Sequence, residues 1–519
     1  MSETQTENIT ALLIDTMSIQ RYIYSSSKLK INLGASYIVA TFFEEILKKI
    51  DSTLDTTKWK ESDFTYKTLN GGYNAYIGYI GGGNALLFFD KKDNAEEFIK
   101  AFSLKLIELY PGLIINYGIH ENFDLKEYSN SITELFDELN TNKNKFIPSS
   151  IVNRLPIADI CTYDYYAANS IESNEPVSTS AETKLDKTTD GNNLYQSLIP
   201  KQNENTYSFP TELEKIGFKK DEGHLAVVHI DGNGIGKLFQ NITSLGIARQ
   251  LSVALQEVAE AAFKDLVDKN IIGNQFIQKK ISDNILPIRP IIIGGDDITF
   301  ICEGTIGIYL AEKYIEYFTA KANEEVKKIF NGGDKDLQIT ACAGIAIVKR
   351  KFPFAKAYQL SEDLCQSAKK FAKAQKDGAV SALDYHIANT GFAGSWDEIK
   401  FSYYQFKNKN LRFSPYLLND DAAHSISTLK AGRQYYQNWP KNKLADLKEI
   451  LWATNAEQEI FIEENKIKGN NLFNKEEKIK FEDKLANGIN CTPIYDQIEL
   501  IDFYPSQLLT LNKEQNAKV

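Results

Sequence analysis

The sequence predicts an α+β fold: two tandem ferredoxin-like units followed by a helical C-terminal domain. Three observations carry that reading. An order of apolar strand, helical stretch, apolar run with a glycine pair and closing apolar strand occurs twice, and the spacing inside the two copies agrees. Beyond about Ser395 the strand patterning gives way to aromatic and charged helical sequence. The expected boundaries are 1–150 for the first unit, 151–222 for a connecting region, 223–394 for the second unit and 395–519 for the C-terminal domain.

The first unit opens with ALLID (Ala11 to Asp15), an apolar run closed by an acid, and continues to YIGGGNALLFF (Tyr79 to Phe89) and LIINYGIH (Leu113 to His120). The second repeats the order with LAVVHID (Leu225 to Asp231), IIIGGDDITFIC (Ile291 to Cys302) and ITACAGIAIV (Ile339 to Val348). The interval from the first acid to the glycine pair is 66 residues from Asp15 to Gly81 and 63 from Asp231 to Gly294. Short apolar runs bounded by turn residues read as buried strands, and longer stretches of 3.6-residue period read as helices. The second unit therefore reads strand, helix, helix, strand, turn, strand, helix, strand, helix, with Gly304 to Phe330 following the hairpin and Phe354 to Lys373 following the last strand. Between the units, Asn169 to Asn193 is rich in Ser, Thr, Asn and charge, lacks apolar periodicity and is expected to be a linker. At the C-terminal end, FSYYQF and LADLKEILW suit a small helical domain.

With 519 residues and 43% hydrophobic content the chain can bury several cores. Its N-terminus has no basic stretch leading into an apolar run, and no segment approaches the roughly 20 apolar residues of a membrane span, so a cytoplasmic protein without membrane contact is expected. The five cysteines are scattered, odd in number and form no Cys-x-x-Cys pair, which argues for buried thiols rather than disulfides or zinc. The five histidines form no metal-binding pair. A net charge of −10 works against broad nonspecific binding to nucleic acid. One basic stretch stands out, with eight Lys or Arg between Lys349 and Lys376, for which a solvated helix face is the plain explanation.

The chemistry concentrates at two motifs. Alternation along LAVVHID puts Val227, His229 and Asp231 on one face and brings Asp231 to the strand's carboxyl end, where ligands gather in α/β sheets. Gly232, Asn233, Gly234 and Gly236 follow, leaving room for backbone amides to approach a phosphate, although such a turn is often only a turn. In IIIGGDDITFIC, Gly294 and Gly295 permit a tight turn between two buried strands. The adjacent carboxylates of Asp296 and Asp297, set close to Asp231, repel one another unless cations neutralise them, which points to a Mg²⁺ or Mn²⁺ site. An exposed, solvated Asp pair is the alternative. His229, sharing a face with Asp231, is expected to be packed and hydrogen-bonded rather than catalytic.

The GGDD turn, the strand-Asp-Gly-x-x-Gly segment and the duplicated unit resemble the large polymerase/cyclase subunit of type III CRISPR effector complexes, itself related to GGDEF diguanylate cyclases. The segment D-x-x-S-I-Q-R-Y-I at Asp15 to Ile23, followed by Gly34-Ala35-Ser36, is similar to the opening of that family's first palm. The resemblance spans about Ala11 to Asp384 and implies two GGDEF/cyclase-like palm domains that face each other. It assigns Asp231, Asp296 and Asp297 as catalytic ligands of two Mg²⁺ (or Mn²⁺) ions that join ATP into cyclic oligoadenylate. It implies nucleotide-binding roles for Gly232, Asn233, Gly234, Gly294, Gly295, Ser367 and Lys369, with neighbouring Lys370 as the alternative to Lys369. In the first palm the turn is Gly81-Gly82-Gly83-Asn84, without acids, so it resembles a degenerate palm in which Asn84 contacts a nucleotide or completes the cleft. Partners implied are ATP or another nucleoside triphosphate, other type III subunits and guide or target RNA. The family's nuclease domain with its His-Asp pair and the cysteine-rich zinc module near Cys161 are missing from the pattern, so DNA cleavage is not expected.

The expected reaction is attack by a ribose hydroxyl on the α-phosphate of a nucleoside triphosphate, with pyrophosphate leaving in line. A catalytically silent scaffold or a nucleotide-binding subunit is the competing reading. An RNA-binding subunit requires a basic and aromatic groove, which the acidic composition disfavours.

Overall fold

The computed structural model describes residues 9–52, 56, 58–60, 75–145, 159–172, 174–201, 206–218, 223–240, 242–330, 338–375, 380–388, 394–406, 409–418, 424–467 and 490–509. Lys376, at the end of the basic stretch, lies outside them.

The first palm begins with strand β1 (Ile9–Met17), a short helix α1 (Ile19–Ile23) and the long α2 (Leu29–Ile50). Strands β2 (Tyr76–Gly81) and β3 (Asn84–Phe89) form the hairpin, followed by α3 (Lys92–Leu109), β4 (Ile114–Phe123) and α4 (Tyr128–Lys145). The sheet order is β2-β3-β1-β4, antiparallel throughout. Successive strand side chains point to opposite faces, and here both faces are covered, which is why β1 is a continuous apolar run. Ala11 and Leu13 join one core with Tyr128 and Leu135 of α4, whereas Leu12 and Ile14 join another with Phe42 of α2 and Phe98 of α3.

The stretch expected to be a linker is folded. It forms a small hairpin of β5 (Ser170–Glu172) and β6 (Glu175–Val177), then α5 (Thr179–Asp186) and α6 (Thr188–Asn193), and both helices pack on α2. Composition misleads here because the packing runs through backbone rather than apolar side chains. A Cβ on Gly34 would stand 1.8 Å from the Lys184 carbonyl oxygen, and one on Gly191 would stand 2.2 Å from that of Leu33. A cluster of Ile31, Cys161, Tyr163, Val177 and Ala181 supplies the apolar part. Ser178 caps α5 by accepting from the Ala181 amide.

The second palm comprises β7 (His224–Asn233), α7 (Ile235–Gln240), α8 (Leu245–Asp265), α9 (Gln275–Gln278), β8 (Ile288–Gly294), β9 (Asp297–Glu303), α10 (Gly307–Ile329), β10 (Thr340–Lys349) and α11 (Phe354–Lys373). Its four strands run β10-β7-β9-β8, the order of the first palm. One strand was not legible: β11 (Ala382–Ala388) adds in parallel to β10, and the short Tyr416–Leu417 strand pairs beyond it. The C-terminal region is mainly helical, with helices over Trp396–Tyr403, Ile426–Tyr436, Lys441–Ile450, Asn455–Ile467 and Ile494–Phe503. Buried Arg412, 2.9 Å from Asp496 and 3.2 Å from Glu499, ties the last of these to the sheet. All five cysteines are buried, and none is in a disulfide. Among the described residues, no helix is long and apolar enough to cross a membrane.

Candidate functional site

The acids come together because β7 and β9 are hydrogen-bonded neighbours in a register that sets Asp231 directly opposite Asp297. The β8–β9 hairpin closes through Gly295 and Asp296, with Gly294 and Asp297 as its last pair. Gly295 has φ +68°, a conformation that disfavours a Cβ. Gly232 donates its amide to the Asp296 carbonyl at 2.9 Å, and a Cβ there would lie 3.1 Å from that of Asp296. This glycine lets the acid turn lie against the end of β7. The side chains of Asp231 and Asp297 stay about one quarter exposed, at 25% and 29%, so the site is open to a ligand.

Partial burial and the neighbouring carboxylates push the Asp296 carboxyl up to about 6, and burial with Asp231 pushes Asp297 up to about 7. Lys369, one turn from the end of α11, forms an ion pair with Asp231. Burial lowers the Lys369 pKa, but the Asp231 charge outweighs it and the net direction is upward. Lys370 is exposed, so Lys369 is the lysine that reaches the acids. His229 is 3% exposed and bonds Thr299 Oγ1 through Nδ1 at 3.1 Å; burial holds it below the ordinary imidazole range, hence neutral. It is packed, as expected. Its Nδ1 is also 3.3 Å from Asp297 Oδ1, but that oxygen accepts no hydrogen bond.

Residues 224–379 match the family described as Cas10/Cmr2, second palm domain. Over that stretch the chain is similar to Cas10/Cmr2 proteins. By structure it resembles a Csm1–Csm4 cassette in complex with cA4, at TM-score 0.54 and 12% identity over 95% of this chain and 69% of the other. Csm1–Csm4 cassettes in complex with pppApA and with AMPPNP each align at TM-score 0.51 and 13% identity, over 95% and 96% of this chain and 69% and 70% of the others. At these identities the likeness is one of fold. No curated protein matches by sequence.

The other expected nucleotide contacts of the Cas10-like site are distributed unevenly. Gly234, φ +88°, turns the chain into α7. Asn233 points its amide at β10, donating to Thr340 Oγ1 at 3.3 Å and Cys342 Sγ at 3.2 Å. Ser367 and Lys369 flank the buried Ala368 and, two residues apart on a helix, project in different directions. Asn84 sits in the first palm opposite Asp15, the position Asp297 holds opposite Asp231. Its Oδ1 is buried without a hydrogen bond. Asp15 itself is held by Lys143, 2.6 Å away on α4, the helix after the fourth strand, as Lys369 is in the second palm.

Two neighbours of the acids escaped the sequence reading. Glu362, two turns before Lys369 on α11, is raised by burial and by the charges of Asp363, Asp297 and Asp231, while neighbouring His229 lowers it. Gln20, from the first palm, donates to Asp297 Oδ2 at 3.3 Å. Nothing local marks Gln20, although it lies inside the D-x-x-S-I-Q-R-Y-I motif.

Among the described residues, no group of three or more His, Cys, Asp or Glu stands ready-assembled as a metal site. The donor chemistry nevertheless fits a hard divalent cation: Asp231 lies near enough to raise both Asp296 and Asp297, and among the described residues Asp297 Oδ1 accepts no hydrogen bond.

Proposed function

We propose that this Cas10-like chain is a metal-dependent nucleotidyltransferase of type III CRISPR defence, converting ATP or another nucleoside triphosphate into a cyclic or oligomeric nucleotide messenger. The observation that supports it most is the register pairing of Asp231 with Asp297 beside Asp296, with Lys369 reaching the same point. Asp231, Asp296 and Asp297 would hold two Mg²⁺ or Mn²⁺ ions, which when bound lower the pKa of an attacking hydroxyl and offset charge on the leaving phosphates.

The chain's own groups supply the rest. Gly232 keeps bulk away from Asp296, and Gly295, φ +68°, permits the turn that carries the acids. Lys369 exchanges Asp231 for the phosphates, where a compact ammonium suits a terminal oxyanion. A ribose oxygen forms the new bond to the α-phosphorus as the bond to pyrophosphate breaks, and the hydroxyl proton passes to water. The structures solved with cA4, pppApA and AMPPNP belong to relatives of the same fold and favour adenine nucleotides as the first substrates to try.

The second reading, a silent scaffold, draws on Lys369, which already balances Asp231 where no cation site is assembled. Incubation with each nucleoside triphosphate and Mg²⁺ or Mn²⁺, followed by mass spectrometry, separates the two. A product made by wild type and lost in the Asp296→Asn, Asp297→Asn variant is expected. No product from wild type, alone or with partner subunits and target RNA, favours the scaffold.

A further inference from the structure

The turn from β1 to α2 contacts three separate parts of the chain. It starts at Ser18, φ 54°, runs through α1 and reaches Lys28, which flanks α2. Gln20 Nε2 meets Asp297 Oδ2 at 3.3 Å. The Tyr24 ring stacks on Tyr358 with centroids 3.6 Å apart and meets Phe354 edge-on at 5.7 Å, both on α11, the helix that carries Lys369. From the other side, Lys184 of α5 donates to the Tyr22 carbonyl at 2.9 Å and to Ser25 Oγ at 3.0 Å, with its ammonium 3.9 Å from the Tyr22 ring centre. That lysine is 3% exposed, and burial lowers its pKa to about 8. A buried lysine is costly unless its protons are used. Here they fasten this one turn.

We propose that residues 18–25 form a strap through which the first palm sets the geometry of the second palm's acid site, with Gln20 as the positioning residue for Asp297. The chemistry of the contact supports the assignment. Among the described residues Asp297 Oδ1 accepts no hydrogen bond, and the Gln20 amide is the side-chain donor to its Oδ2. A neutral amide fixes the orientation of a carboxylate while leaving its charge available to a cation, whereas a lysine or arginine there would compete with the cation. Gln20 is itself held at both ends of its segment, by the left-handed Ser18 on one side and the Tyr24 stack and Lys184 on the other. The second palm's site is therefore composite, and the first palm, though short of acids, contributes to it.

The inference rests on the reading of the second palm as a cation site, and the test separates the two. Mn²⁺ binding to the full chain, read from the loss of the free-ion electron paramagnetic resonance signal, is compared for wild type, Asp297→Asn, Gln20→Met and Gln20→Ala. Gln20→Met keeps the length of the side chain and removes its donor; Gln20→Ala provides a second variant should the first fail to fold. The expected result is Mn²⁺ affinity about tenfold weaker in the Gln20 variants, the usual scale for losing a partner behind a metal ligand, with thermal midpoints kept. With ATP turnover, kcat falls while KM for ATP stays. Mn²⁺ binding equal to wild type in a folded Gln20 variant overturns the positioning role and leaves the second-palm reading standing. A wild type that binds no Mn²⁺ overturns both.

Discussion

The two palms are the same fold with different charge. Each has strand order 2-3-1-4, an aspartate at the end of its first strand, and a lysine from the helix after its fourth strand that pairs with it. In the first palm Asp15 faces Asn84, and Lys143 balances it one to one. In the second, Asp231 faces Asp297 with Asp296 beside it, and Lys369 pairs with Asp231 alone among the three acids in the described residues. The fold does not need the extra acids, since the first palm forms without them. What they add is a set of partly buried like charges, with carboxyls pushed up to about 6 and 7 first by burial and then by the neighbouring acids.

The largest test of that contrast removes the surplus. The Asp296→Asn, Asp297→Asn variant is expected to lose nucleotide product below detection, while Asp15→Asn, which removes the first palm's acid at the matching position, leaves product formation nearly unchanged. Mass spectrometry of the reaction reads both. The lysines sharpen it next. Lys369→Met is expected to cut kcat/KM for ATP about 10- to 100-fold, roughly 1.4 to 2.8 kcal/mol of transition-state binding, yet to tighten Mn²⁺ binding by freeing Asp231. Lys143→Met, which leaves Asp15 unpaired, is expected to lower stability by about 1 kcal/mol with little effect on Mn²⁺ affinity, as denaturant titration and metal titration report.

The smallest effect is in pH. Asp296 and Asp297 hold protons in the folded state at pH values where unfolded carboxyls have lost theirs. The native state thus binds more protons between about pH 4 and 7, and stability without metal falls as pH rises through that window. The thermal midpoint is expected to drop from pH 5 to pH 8 in wild type and to flatten in the double Asn variant. Mg²⁺ is expected to raise it at pH 8 and to do little at pH 5. Equal slopes in the two proteins would dissolve the charge contrast between the palms.

Much of this was legible because it is local. The β8–β9 hairpin follows from two glycines between apolar runs, α11 from its 3.6-residue period, and the repeat from matched intervals. What stayed hidden depends on distant partners. β11 carries Asp384 and His386, which read as polar yet are buried at 1% and 6%. The 169–193 segment packs by backbone approach at Gly34 and Gly191, which no apolar pattern announces. Gln20 meets a residue 277 positions away, and the sole hint of it was its place in the D-x-x-S-I-Q-R-Y-I motif.

The alternation along β1 has a mechanical meaning. Leu13 belongs to a core that also contains Leu251 and Ile293 of the second palm, and Leu12 to one that contains Val227 and Ile291. Both oily layers therefore run without a seam from one palm into the other. A clamshell opening that parted the two halves would tear both at once, exposing apolar surface on every side. Whatever reaches the acids comes from their exposed side, past Lys369, with the shared cores behind it.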